Sequence, residues 1–273
     1  AIGIFDSGIG GLTVAAEVGK ALPNEHMVYL GDTARVPYGT KSVRTVERYA
    51  VENGRMLLDL GAKLIVVACN TASALAGEHL RDEMPVPVID VVGPGARAAA
   101  SVTRTGRIGV IGTRSTIASG AYERAIMTHN GEFQVFSASC PLFVPLAEEG
   151  WTDGDVPKAA AEKYLYPLLE QQIDVLVLGC THYPLLSRTI QDVCGEDVVL
   201  VDSAHAAAAD VKHLIEREGL GRDGQDGGSR RFFVTDLSDQ FTVVAGRFFG
   251  SDHIDLTLVD LPWVKGCLAD DTA

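Results

Sequence analysis

The sequence has no apolar run approaching the roughly 18 residues of a membrane span, and residues 1–5 lack the basic start and hydrophobic middle of a signal peptide. No membrane contact and a cytoplasmic location are the expectation. Close cysteine pairs are missing too. The five cysteines, Cys69, Cys140, Cys180, Cys194 and Cys267, form an odd and scattered set, which argues against a disulfide framework and suits a reducing compartment. A zinc site drawn from Cys69, Cys180 and His182 would lack the Cys-x-x-Cys pairs typical of structural zinc. Positive charge is short: 23 Lys and Arg against 36 Asp and Glu leave a net charge of −13. Nonspecific nucleic-acid affinity comes chiefly from basic side chains that neutralise phosphates, so direct nucleic-acid binding is not expected.

Two familiar loops are present only in part. Gly8-Ile9-Gly10-Gly11-Leu12-Thr13 follows an apolar strand as a dinucleotide fingerprint would, with Asp32 near the place of a ribose-binding acid, but Thr13 stands where the third glycine belongs. Ser7 does not sit in Gly-x-Ser-x-Gly, because Phe5 occupies the first position. It reads as a ligand donor rather than a hydrolase nucleophile.

What the chain does have is length and alternation. With 273 residues, 47% hydrophobic and 22% charged, it fits a globular protein with a large core or two lobes. Apolar runs predict strands at 2–5, 27–30, 64–68 and 87–92. Helical patterns fall between them at 12–22 and 41–60, where Val43, Val46, Ala50, Met56 and Leu57 recur at near-helical intervals. Such alternation implies βαβ units and a parallel sheet. It then begins again, with strands at 107–111, 133–136, 175–178 and 198–201. A helix over 203–218, a Gly, Asp and Arg loop over 219–229 that reads as mobile, a strand at 231–235, a helix over 238–249 and an alternating segment at 254–259 complete the chain.

The second half repeats the first. Ile2-Gly3-Ile4 matches Ile108-Gly109-Val110, Val36-Pro37 matches Val144-Pro145, Cys69 matches Cys180, and Val88-Ile89-Asp90 matches Leu200-Val201-Asp202; the spacing of partners grows only from 106 to 112 residues. The expected architecture is α/β, with two pseudo-symmetric lobes, each a parallel sheet flanked by helices, and an active site in the cleft between them. Lobe 1 is expected over 1–92 plus 204–273, discontinuous because the tail returns to it, and lobe 2 over 93–203.

Parallel sheets bind ligands at the carboxyl ends of their strands, where the unusual residues gather. Cys69 and Cys180 each end an apolar run and are followed by hydrogen-bonding residues, Asn70-Thr71 and Thr181-His182, and then by a helix start whose amides can lower a thiol pKa. Cys140, Cys194 and Cys267 read as inert core residues. Two acid/base groups on opposite faces of a carbon acid can remove a proton from one side and deliver one to the other, inverting the stereocentre. His182 reads as a proton partner of Cys180. Ser7, Asn70, Thr71, Thr113, Thr116 and Thr181 could clamp ligand carboxylates without an arginine. A two-lobed binding protein that closes on an amino acid without chemistry is the reading from another class.

These residues resemble the cofactor-independent glutamate racemases. The resemblance runs through Asp6-Ser7-Gly8-Ile9-Gly10-Gly11, Gly31-Asp32-Thr33-Ala34-Arg35-Val36-Pro37-Tyr38-Gly39, Ala68-Cys69-Asn70-Thr71-Ala72, Ile111-Gly112-Thr113, Pro141-Leu142-Phe143-Val144-Pro145-Leu146 and Gly179-Cys180-Thr181-His182-Tyr183-Pro184. It implies interconversion of L- and D-glutamate without pyridoxal phosphate, other cofactor or metal, supplying D-glutamate for peptidoglycan and hence cell shape. It implies Cys69 and Cys180 as the acid/base pair, the first acting on D-glutamate and the second on L-glutamate. Asp6 and His182 would assist them, with Asp32 and Glu148 as more distant helpers. Asp6, Ser7, Pro37, Tyr38, Gly39, Asn70, Thr71, Thr113, Thr116, Thr181 and His182 would bind substrate. A homodimer is implied as well; inhibition of DNA gyrase is associated with some such proteins, though nothing in this sequence specifies that contact. A related racemase acting on aspartate is the alternative.

Overall fold

A computed structural model describes residues 1–224, 226–237, 239–250 and 254–261. Its strands are β1 (Ile2–Asp6), β2 (Met27–Gly31), β3 (Leu64–Val67), β4 (Val88–Asp90), β5 (Arg107–Gly112), β6 (Gln134–Ser139), β7 (Val175–Gly179), β8 (Val199–Asp202), β9 (Arg230–Val234) and β10 (Leu256–Leu258). The helices are α1 (Leu12–Ala21), α2 (Val43–Asp59), α3 (Asn70–Glu83), α4 (Val92–Val102), α5 (Arg114–Ala118), α6 (Ala121–Met127), α7 (Phe143–Glu149), α8 (Asp155–Leu169), α9 (Ser187–Cys194), α10 (Ser203–Arg217) and α11 (Asp239–Phe249). Among the described residues, no helix is long and apolar enough to cross a membrane.

The strands form two parallel sheets, ordered β10-β9-β2-β1-β3-β4 and β6-β5-β7-β8. Every residue of β1, β3 and β7 is buried, as parallel strands covered by helices on both faces must be. The order β2-β1-β3-β4 in one sheet recurs as β6-β5-β7-β8 in the other, and the pairing register recurs with it. Ile2 pairs with Leu64 and Met27; Ile108 pairs with Val175 and Val135. Cys69 and Cys180 stand at the same distance in sequence beyond Leu64 and Val175. Val88 pairs with Ile65, and Leu200 with Leu176, so Asp90 and Asp202 are equivalents too.

That equivalence has a local use. Asp90 Oδ1 accepts from Val92 N at 2.8 Å and Gly93 N at 3.0 Å, opening α4, and Asp202 Oδ1 accepts from Ala204 N at 2.8 Å, opening α10. Asx capping explains why β4 stops at Asp90 rather than running to residue 92 as its apolar run suggests. One landmark of the repeat does not share structure. Val36-Pro37 lies in a loop with a cis peptide bond, whereas Val144-Pro145 lies within α7.

The tail supplies β9, which pairs with β2, and β10, which pairs with β9. The described residues of the loop before β9, expected to be mobile, make hydrogen bonds to the segment between α1 and β2. Arg222 N donates to Glu25 Oε1 at 2.7 Å, Gly228 N to Pro23 O at 2.9 Å and Ser229 N to His26 Nδ1 at 2.9 Å. Residue 238, where the tail helix was expected to begin, lies outside the described residues, as does Cys267. Replacing Asp90 with Ala removes two capping hydrogen bonds and the ion pair with Arg81, and we expect a loss of about 1 kcal/mol, read from urea unfolding; an unchanged midpoint would show that water serves the helix start equally well.

Candidate active site

The first thiol occupies a capping position. Cys69 stands where β3 gives way to α3, in the place Ser or Asp often takes, and its sulfur accepts from Ala72 N at 3.4 Å. It also donates to Ser7 Oγ at 3.4 Å. Asp6, the last residue of β1, is 1% exposed; its Oδ2 accepts from Gly8 N at 2.9 Å, while Oδ1 is buried without a hydrogen-bond partner. Burial pushes the Asp6 carboxyl above its ordinary pKa, against the opposing influence of His182 and the amides of Gly11, Gly8 and Ser7. Burial, reinforced by the charge of Asp6, pushes the Cys69 thiol up to about 12. Amides at the helix start were expected to lower it. For Cys69 that expectation fails, because desolvation outweighs the hydrogen bonds from Ser7 and Ala72.

The second thiol has different company. Cys180 Sγ lies 3.9 Å from His182 Nδ1, which Thr181 Oγ1 also approaches at 3.4 Å. On the far side of the ring, Nε2 meets Glu148 Oε1 at 2.9 Å, and the ring packs edge-on against Phe248. Burial opposes charging of His182, but hydrogen bonds to Cys180 and Glu148, and the charges on both, outweigh it and raise the pKa to about 10. The raised value favours a doubly protonated imidazole held between the Cys180 sulfur and the Glu148 carboxylate. Glu148, expected as a distant helper, is in direct contact.

A set of neutral donors stands at the start of α3, directly after Cys69. Thr71 Oγ1 is 3.0 Å from Thr113 Oγ1 and 3.2 Å from Thr116 Oγ1, and the latter two are 2.9 Å apart. This hydroxyl triangle joins the start of α3 to the start of α5, one from each half of the chain. Asn70 Oδ1 accepts from Tyr122 Oη at 2.6 Å, a partner that sequence reasoning missed because a lone tyrosine on a short helix carries no signal. At Gly10 the halves approach closely. A Cβ there would fall 2.4 Å from Thr181 Oγ1 and 2.5 Å from the His182 ring, so the glycine-rich loop is explained by side-chain approach rather than by phosphate.

Tyr38, expected to bind substrate, and Asp32, expected as a more distant helper, meet each other. The Asp32 carboxylate receives Arg35, the Tyr38 hydroxyl and, at 3.1 Å, Thr235 Oγ1. Asn53 Nδ2 donates to Tyr38 Oη at 2.9 Å. The phenol of Tyr38 is thus committed to holding its loop, and Pro37 is exposed at the turn. Gly39 accepts from Ser115 in the second half. Cys140 is buried and its thiol raised by burial; Cys194 is half-buried and pushed up to about 11 by the same cause.

Thiol, imidazole and carboxylate groups gathered at the carboxyl ends of two equivalent parallel sheets are the equipment of an acid/base enzyme working between two lobes. The chain belongs to the Asp/Glu/Hydantoin racemase family, whose model matches residues 12–211, and it is accordingly an isomerase. It is 53% identical to a glutamate racemase of Geobacter metallireducens over 261 residues, covering 96% of this chain and 97% of the relative. The solved glutamate racemase isoform RacE1 of Bacillus anthracis superposes with a TM-score of 0.92 at 40% identity, covering 96% of this chain and 98% of that one. The Francisella tularensis glutamate racemase, solved in complex with D-glutamate, gives 0.89 at 37% identity, covering 96% and 97%. An aspartate racemase of Picrophilus torridus, at 17% identity and a TM-score of 0.54, shares the fold.

The His182 pKa of about 10 carries a pH dependence. A folded-state pKa above the unfolded value means that the stabilisation is fully present below about 6.5 and is lost as pH rises through about 10. In a nitrogen-detected NMR titration we expect His182 to keep its second proton through neutral pH, and Glu148→Gln to lower the midpoint by about one pH unit. A wild-type midpoint near 6.5 would contradict the ion-pair description.

Proposed function

We propose that the chain interconverts L- and D-glutamate, with Cys69 and Cys180 as opposed acid/base groups. The observation that carries this reading is the unlike surroundings of two alike thiols. Register makes them equivalents, yet Cys69 is held as a neutral thiol beside the buried Asp6, while Cys180 sits against a protonated imidazole. A two-base racemase needs one group ready to accept a proton while the other is ready to donate.

From the L side, the Cys180 thiolate takes the α-proton while His182 stands beside it. The electron pair left on the α-carbon spreads into the neighbouring carboxylate, and Cys69 delivers its thiol proton to the opposite face. The product is D-glutamate, with Cys69 now a thiolate and Cys180 a thiol; running the steps backward starts from D-glutamate at Cys69. Asp6, with its raised pKa and one unpartnered oxygen, assists the first thiol. Glu148 keeps His182 charged and oriented, as a carboxylate fixes an imidazole in other acid/base sites.

Substrate carboxylates are received by Ser7, the backbone at Pro37, Tyr38 and Gly39, and the polar groups of Asn70, Thr71, Thr113, Thr116, Thr181 and His182. A carboxylate arriving at the threonine triangle replaces hydroxyl–hydroxyl bonds with charge-assisted ones, which are roughly twice as strong. Support for glutamate over aspartate comes from the relatives: those 53% and 49% identical are glutamate racemases, and the Francisella protein holds D-glutamate. The functional lobes are read as 1–92 with 204–273 and 93–203, and the D-glutamate produced as feeding peptidoglycan synthesis.

We expect Cys69→Ala and Cys180→Ala each to fold and to lose racemisation by at least about 10²-fold, followed by circular dichroism from L-glutamate. Near-normal turnover by either variant would sink the two-thiol assignment. Incorporation of solvent deuterium at the α-carbon, absent from a pure binding protein, separates enzyme from binder, and a panel including aspartate tests the substrate.

A further inference from the structure

Asn70 opens α3 directly after Cys69 and is 3% exposed. Its oxygen is satisfied by Tyr122, but its Nδ2 is buried without a partner. A buried amide donor left unpaired has lost its water without gaining a partner, so such groups are uncommon in folded proteins. Placed one residue from a thiol in a cleft lined with carboxylate-binding hydroxyls, this donor matches the chemistry of an anionic oxygen.

A carboxamide has two ends of similar shape and opposite polarity, and a rotation of about half a turn exchanges them. Only the NH₂ end attracts a carboxylate. Something must therefore hold the amide oxygen away from the ligand, and the residue in place to do so comes from the other half of the chain. Tyr122 on α6 is 3% exposed, and its ring lies in a slot made by two glycines. A Cβ at Gly95 would come within 3.3 Å of Cε1 and 3.4 Å of Oη; one at Gly179 would come within 3.1 Å of Cε2. The Ser203 hydroxyl hydrogen-bonds to the phenol and favours its ionised form, but burial dominates and raises the phenol pKa. The phenol thus stays protonated and donates to Asn70 Oδ1.

We infer that Tyr122 is a positioning residue: its hydroxyl pins the Asn70 carboxamide so that the NH₂ end faces a substrate carboxylate. The inference rests on the reading of this site as a glutamate site. It also makes the ligand's recognition depend on both lobes, since the pin reaches from α6 to α3.

The test is a double-mutant cycle on racemisation of both enantiomers, with melting curves on each protein. Tyr122→Phe is expected to raise KM about tenfold and to change kcat less than about threefold, the pattern of lost ground-state binding. In an Asn70→Ala background, where there is no amide to orient, the same change should add nothing. An unchanged KM for Tyr122→Phe, or an equal rise in both backgrounds, overturns the positioning role while leaving the glutamate reading intact. Wild-type protein inert toward both enantiomers overturns the glutamate reading, and this inference with it. If Tyr122→Phe does not fold, Gly95→Ala crowds the phenol without removing it; a smaller KM rise that vanishes in the Asn70→Ala background supports the pin, and no rise refutes it.

Discussion

Backbone register is the constraint on which the site depends. In each half, a central strand is paired with the strand that leads into a cysteine, and the partners match residue for residue between halves. A slip of one residue in either sheet would turn its cysteine to the opposite face, because successive strand residues alternate sides. Continuous apolar runs buried on both faces tolerate no such slip without exposing their neighbours. The two thiols are therefore held equivalent by hydrogen bonds that neither of them makes.

Equivalence of position is then broken by neighbours. Asp6 ends the strand beside Cys69 and brings a carboxyl group into a desolvated corner. Its counterpart by register is Gly112, which carries none. On the other side, His182 follows Cys180 and leans on Glu148 from α7, where the first half has Thr71 following Cys69. Duplication supplied the frame, and a few substitutions at strand ends gave it two chemically different sides. Gly10 belongs to the same design, since any side chain there would meet the imidazole.

Much of this was legible in the sequence. Apolar runs located the strands because buried parallel strands leave little choice of residue, and the nearly constant spacing of Ile2, Cys69 and Asp90 with Ile108, Cys180 and Asp202 exposed the duplication. Strand ends were less legible: the run at 87–92 hid the capping by Asp90, which starts a helix inside an apolar stretch. Direct contact between Glu148 and His182, and between Tyr122 and Asn70, could not be read, because each joins elements distant in sequence. The same holds for Asp32, whose partners Arg35, Tyr38 and Thr235 reveal an anchor only once the tail strand is in place. Glycines and acids advertise themselves locally, whereas desolvation, which sets the Cys69 thiol, is a property of the assembled core.

The returning tail gives the two halves unequal histories during synthesis. All four strands of the β6-β5-β7-β8 sheet come from one unbroken stretch, so that sheet can close as soon as residue 202 is available. The other sheet cannot: the outer edge of β2 stays bare until β9 arrives, and Thr235 and Asp236 then clasp the loop carrying Asp32 and Thr33. The half made first is thus the half finished last. A chain cut short before residue 230 would carry both thiols and every threonine of the cleft, yet leave the Asp32 loop without its clasp and an open strand edge ready to pair with a neighbour.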